Sequence, residues 1–411
     1  MTDVSRRSFF RAVGSVVAAG IAGIAGGYVL GSSMTRAEFE RLYGPGATQA
    51  GNEIIRRLEA EIKELKEKLA QYEIKDKEVG VYFWAETIPE HLITFFEEKT
   101  GVSVIFDTFD SSDEVYAKLF TGRMPYDVTS VTMGGMTRQE HERYLMKLDL
   151  SRIPNFKRYA FDGFIKEILN PPFDPRRDYS VPAELGTTGV SFRTDKISEN
   201  DWPTGFRDSL FDFDGFLRKY SPRDGVKRAT MIPGGVETIP VVIKAIMGKS
   251  INAITPENVQ EAKEILIQQK SYLATYAGAS EYVPGLAEAR FWVSETWIWQ
   301  DSPNNVDYVA PVEGSEIWED SFVIPKSAEH VDAAYAFINY MLEPPVQVAH
   351  VLYNSLVTPN RLAYEMLPDD VKNDPSIYPP KEIIDRYEMW VNRTPEEKEL
   401  LTRAWLEVLA A

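Results

Sequence analysis

The stretch VGVYFWAETIPEHLITFFEEKTGVSVIF, residues 79–106, reads as strand, helix, strand. VGVYFW is a short apolar run suited to a buried parallel strand. Thr87 is then a candidate N-cap and Pro89 falls in the first turn. Ile88, Leu92, Phe95 and Phe96 share one helix face before Gly101 ends it. VSVIF is the second strand. SSDEVYAKLFTG (111–122) adds a capped helix closed by Gly122, and YDVTSV (126–131) adds a third strand. This alternation is a doubly wound α/β unit, in which ligands sit at strand C-termini and helix N-termini. The turns at 84–86 and 129–132 fall at the expected mouth.

A second α/β unit begins after a proline-rich loop (Pro171, Pro172, Pro175), at YSVPAELGTTGVSF. ATMIPGGVETIPVVIKAIMG (229–248) runs strand, glycine turn, helix, with Ile239, Val242, Ile243 and Ile246 on the buried face and Gly248 at the end. A phosphate at the Gly234–Gly235 turn is conceivable from the helix dipole, but no GxxxxGK[ST] or GxGxxG occurs, which argues against a nucleotide cradle. Thr394 and Pro395 open a last helix whose inner face is Leu400, Leu401, Ala404, Trp405 and Val408.

N-terminal to this body the chain changes character. Arg6 and Arg7 precede an uncharged run over 12–34, the pattern of a twin-arginine export signal, cleaved or retained as a membrane anchor. Ile55, Leu58, Ile62, Leu65, Leu69 and Tyr72 then mark a short heptad seam, expected as a coiled-coil-like stalk or a helix docked on the body.

Composition limits the function. With a net charge of −17 and a pI near 4.9, the surface does not suit nucleic acid. The chain has no cysteine, which excludes disulfides, thiolate metal sites, a cysteine nucleophile and a lipid-modified cysteine. Its four histidines (His91, His141, His330, His350) are scattered and read as surface or internally satisfied. There is no HExxH or GxSxG, so no enzyme signature and no cofactor motif emerges. One stretch is chemically unusual. ARFWVSETWIWQD (289–301) sets Trp292, Trp297 and Trp299 around Glu295, either as core or as the wall of a site.

Several stretches together resemble one family, the periplasmic spermidine/putrescine-binding proteins, which are solute receptors of ATP-driven importers. They are VYFWAETIPEHLITFFEEKTGVSV, YAKLFTGRMPYDV, NPPFDPRRDYSVPAELGTTGVSF, EIWEDSFVIPKSAEHVDAAYAFINYML and LVTPN, in order from residue 79 onward. The resemblance implies a two-lobed periplasmic-binding-protein fold (type II). One lobe would be 79–183 with 319–362, and the other 184–318 with 363–411. The signal or anchor would occupy 1–35 and the stalk 36–78. It also implies a permease and ATPase as partners, an extracytoplasmic location and no catalysis. In such receptors aromatic rings cover an amine's methylenes while carboxylates hold its ammonium ends. The family's aromatic–acid pairs fall on Trp84 and Glu86, on Trp292 and Glu295, and on Trp318 and Asp320, with Glu237 as a further acid and Thr132 as a retained hydroxyl. Trp297 and Trp299 have no such counterpart and read as core or rim. Glu184 is either an added hinge carboxylate or turned away. Three rings of the family pattern are missing, at Thr87, Gly134 and Leu356. Their loss argues for a shorter or differently shaped amine, or for another solute. A sensor or enzyme on the same fold is the remaining alternative.

Overall fold

The computed structural model describes residues 74–85, 87–160, 166–297 and 305–411. The expected export signal and all but 74–78 of the expected stalk lie outside these residues, as do Glu86 and Trp299. Among the described residues no helix is long and apolar enough to cross a membrane.

The strands are β1 (Glu78–Trp84), β2 (Ser103–Phe109), β3 (Val128–Thr132), β4 (Val181–Arg193), β5 (Ala229–Met231), β6 (Leu273–Tyr276), β7 (Val293–Trp297), β8 (Val306–Val309), β9 (Glu316–Val323) and β10 (Glu388–Met389). They hydrogen-bond in the order β2-β1-β3-β9-β4-β7-β5-β6, with β8 beside β4 and β10 beside β9. The sequence-predicted α/β alternation gives the parallel triplet β2-β1-β3 at one end and the parallel triplet β7-β5-β6 at the other. Between them, β9 runs antiparallel to β3 and β4, and β4 antiparallel to β7, while the short β10 lies parallel to β9.

β4 is the connecting element. It is 13 residues long and buried throughout. Its first half pairs with β9, from Val181 to Thr187, and its second half with β7 and β8, from Thr188 to Arg193. A strand covered on both faces reads as a continuous run rather than an alternation, which is why VPAELGTTGVSFR carries no period-2 signal. One hydrophobic core forms around Tyr82, Phe109, Val131, Leu185 and Val323, and another around Val190, Phe192, Ile239, Val242 and Trp405.

The helices follow their sequence signals closely. Helix α1 (Glu90–Thr100) buries Leu92 and Phe96, but Phe95, expected on the same face, is 54% exposed. The Thr87 hydroxyl does not cap this helix. It donates to the Trp84 carbonyl at 3.0 Å. Helix α2 (Ser112–Leu119) is capped by Ser111. Helix α3 (Gly235–Ala245) buries Ile239, Val242 and Ile243. After β9 comes a helix over Val331–Met341, and helix α4 (Pro344–Asn354) follows it. Helix α5 (Pro395–Ala410) starts with a capping box between Thr394 and Glu397 and buries Leu401, Ala404, Trp405 and Val408. The C-terminal segment 363–411, expected as one unit with 184–318, divides its packing. Leu367, Ile377, Tyr387 and Met389 join the first core, and α5 joins the second.

A buried ion pair fixes β9 from the face opposite its tryptophan. Arg177 donates through Nη1 and Nη2 to both Glu319 oxygens, at 2.6 and 2.8 Å, and through Nε to the Ile168 carbonyl at 3.0 Å. Both side chains are almost fully buried. Removing one partner of such a pair strands the other charge. Arg177→Met is therefore expected to lower unfolding free energy by roughly 3–5 kcal/mol, measured by urea denaturation; a change below about 1 kcal/mol would contradict this role.

Candidate functional site

Strand ends gather around one cavity of about 380 Å³, near the lower end of the ~300–1,000 Å³ typical of small-molecule sites. Trp84, Phe109, Thr132 and Trp297, the last residues of β1, β2, β3 and β7, all line it. This is the C-terminal edge at which open α/β sheets bind ligands. β9 contributes along its length. Side chains two apart share a strand face, and Glu316, Trp318 and Asp320 all line the cavity, while Glu319 between the last two points to Arg177. Glu237 reaches in from the first turn of α3, Glu184 from β4, and Asp110 from the loop after β2.

Two glycines make room for tryptophan. A Cβ on Gly186 would lie 2.1 Å from Trp318 Cζ2, so the indole rests directly on the β4 backbone. A Cβ on Gly134 would lie 2.6 Å from Trp390 Cβ, so the C-terminal segment closes on the turn after β3 there. Trp390 itself lines the cavity. The ring absent at Gly134 is thus replaced by a ring arriving from elsewhere in the chain. Tyr282 and Tyr353 also line the cavity, beside Thr87 and Leu356.

The lining is acidic and short of counter-charge. Among the described residues it includes Asp110, Glu184, Glu237, Glu316 and Asp320 and no lysine, arginine or histidine. Glu237 is open to the cavity but far from bulk water. Its pKa is pushed up to about 8, by burial first and then by the carboxylates of Glu316, Asp113 and Asp320. Burial likewise pushes Glu316 up to about 7, with the Thr188 hydroxyl and the Arg393 charge opposing. Asp320 is raised by burial and then by Glu184. Its Oδ1 accepts a 2.7 Å hydrogen bond from the Thr132 hydroxyl. The Trp84 indole N–H also stabilises the Asp320 carboxylate, from beyond ordinary hydrogen-bond range. Glu184 is the most satisfied acid. Its Oε2 accepts from Asn354 Nδ2 at 2.9 Å and lies 3.0 Å from His350 Nε2.

Of the residues expected from sequence, Trp84, Thr132, Glu237, Trp318 and Asp320 come together here. Glu86 lies outside the described residues. Trp292 and Glu295 do not line the cavity. Trp292 precedes β7 and packs on the second core, with the Arg228 guanidinium 5.4 Å from its ring. Glu295 is 1% exposed and accepts from the Ile232 backbone N–H at 3.1 Å, bracing the turn before α3. The indole that β7 delivers is Trp297, at its far end. Sequence reasoning also missed Glu316 and Trp390. Extending the β9 alternation two residues back from Trp318 would have found Glu316. Nothing local marks Trp390, whose placement depends on long-range pairing.

The raised carboxyls set a pH dependence. The folded pKa values of Glu237 and Glu316 lie above the ordinary 4.5, so the folded protein holds more protons than the unfolded chain between those limits. Their stabilising contribution is complete below about pH 4.5 and is lost as pH rises through 7 to 8. His141, buried and lowered to about 4, titrates in the opposite sense but only below its ordinary 6.5. Between about pH 6.5 and 8.5 the ligand-free protein should therefore lose thermal stability, and Glu237→Gln should flatten the profile, as read by scanning calorimetry. An identical slope in the variant would contradict the assignment.

Comparison with known proteins places these features. Residues 91–379 match the family described as bacterial extracellular solute-binding protein. The putrescine-binding periplasmic protein SpuD of Pseudomonas aeruginosa is 25% identical over 348 residues, covering 81% of this chain and 92% of that protein. The spermidine/putrescine-binding periplasmic protein of Salmonella typhimurium is 28% identical over 325 residues, covering 76% and 85%. Among solved structures, the spermidine/putrescine ABC transporter substrate-binding protein PotD of Streptococcus pneumoniae, in complex with calcium and HEPES, superposes with a TM-score of 0.68. It is 26% identical and covers 82% of this chain and 99% of that one.

Proposed function

The chain belongs to the bacterial extracellular solute-binding proteins, and from that premise we propose that it is the extracytoplasmic receptor of an ATP-driven importer for a small organic cation, with a polyamine such as putrescine or spermidine favoured. The single observation that carries this reading is the cavity's charge: five carboxylates with no basic residue among the described lining. Of these, Glu237, Glu316 and Asp320 are raised by burial and have no basic neighbour in the lining, so they are costly to ionise until a cation joins them. The tryptophan faces beside them suit both a cation and a chain of methylenes. The names of the relatives above, which bind putrescine or spermidine, support the same class.

In this reading the two cores are two lobes, joined by β4 and β9, that close on the solute and present it to a permease and its ATPase. The first lobe gains the segment through Met389, and the second keeps α5. The protein binds without turnover. Arg6 and Arg7 support export by the twin-arginine translocase, with the segment at 1–35 as signal or membrane anchor and a stalk behind it.

Isothermal calorimetry with putrescine and spermidine tests the reading. Tight exothermic binding is expected, and Asp320→Asn should weaken it by roughly 2–4 kcal/mol, or about 30- to 1,000-fold. Binding of an anionic solute, with no heat from any amine, would overturn it.

A further inference from the structure

Resting on the amine reading, we propose that His350 is a positioning residue, an internal counter-ion that holds Glu184 so that Asp320, opposite it, stays ionised to receive the solute. His350 acts through Glu184 and does not itself line the cavity. Glu184 and Asp320 face each other across β4 and β9, where the register shifts between Pro182 and Glu184. Such a shift re-aims side chains. Both carboxylates line the cavity, and directly opposed residues on one sheet face carry Cβ atoms about 4.5–5.5 Å apart. Two like charges at that spacing resist ionising together. Among the described residues the only ion pair either acid makes is that of Glu184 with His350.

That contact is built into α4. Gln347, His350 and Asn354 form a polar row on its buried face, where residues three and four apart are neighbours. Each meets β4. Gln347 Nε2 donates to the Ala183 carbonyl at 3.4 Å, and Asn354 Nδ2 donates to Glu184 Oε2 at 2.9 Å. His350 Nε2 lies 3.0 Å from the same oxygen. The Asn354 amide is fixed because its Oδ1 accepts from the Leu356 N–H at 3.1 Å. Leu185 and Val357 then exchange backbone hydrogen bonds at 3.1 and 2.8 Å, which ties β4 down on the far side of Glu184. His350 is 1% exposed, and its Nε2 makes no aligned hydrogen bond. At 3.0 Å it supplies Glu184 with charge, which Asn354 cannot do.

The other groups around this pair leave that role to His350. Within α4 the remaining ionisable side chain is Tyr353. Thr132 from β3 donates to Asp320, and Trp84 from β1 stands beside it. Tyr116 from α2 spends its hydroxyl on the Thr132 carbonyl at 2.7 Å. Glu319, on the opposite face of β9, is paired with Arg177. Asp110, Glu237 and Glu316 add only negative charge to the lining. Asp320 is raised by burial and then by Glu184. A positive charge behind Glu184 offsets the second of these causes.

The test is calorimetry of putrescine binding to the full-length protein between about pH 5 and 8, the range in which an imidazole changes charge. Wild type is compared with His350→Gln, Glu184→Gln and the double variant. The other cavity acids titrate in all four proteins, so the differences between profiles are what count. His350→Gln should weaken binding roughly tenfold at about pH 6 and recover towards pH 8, because Asp320 then ionises later. Glu184→Gln should shift the rise in affinity to lower pH, whatever its absolute affinity. With Glu184 already replaced, adding His350→Gln should change affinity by less than about threefold. Superimposable profiles for wild type and His350→Gln, or the same His350 effect with and without Glu184, would overturn the proposal. If His350→Gln does not fold, Glu184→Gln decides alone, and an unshifted profile overturns it. Absence of putrescine and spermidine binding to wild type at every pH would instead overturn the cationic reading on which it rests.

Discussion

A carboxylate out of water and without a counter-ion must be protonated, paired or accommodated at a cost of several kcal/mol. The chain spends this constraint in two different ways on adjacent residues of one strand. Glu319 is fully paired by Arg177, and the pair holds β9 in place. Asp320 and Glu316 face the other way, into the cavity, and are raised in pKa first of all by burial. The same chemistry that anchors the scaffold on one face of β9 is left incomplete on the other, where the proposed cationic solute would complete it.

The remainder of the site is arranged around that strand. Gly186 lets the Trp318 ring lie against β4, so the strand that connects the two cores also forms the floor under the central indole. Thr132 and Asn354 orient Asp320 and Glu184 by direct hydrogen bonds. These bonds select rotamers without neutralising charge, which keeps the site preorganised and still acidic.

Much of the fold was legible because its signals are local. The run VGVYFW, the Ser111 cap, the helix after Gly234 and the Thr394 capping box all rest on periodicity and capping within a few residues. Misplacements arose where tertiary geometry decides. Trp292 and Trp297 are five residues apart in one aromatic stretch, and only the start of β7 at Val293 determines which end meets the cavity. The division of 363–411 between two cores depends on β10 pairing with β9, a two-residue bridge that no propensity marks. The missing ring at Gly134 looked like a lost contact, whereas it is the space into which Trp390 fits.

The most direct measurement is infrared difference spectroscopy of the carboxyl region when an amine is added near neutral pH. The account predicts that buried, protonated carboxyl bands present in the free protein disappear as the amine binds, and that Glu237→Gln removes part of that signal. Binding of an amine with no loss of protonated carboxyl would contradict it, because the cavity acids would then already be ionised without the cation that is held to complete them.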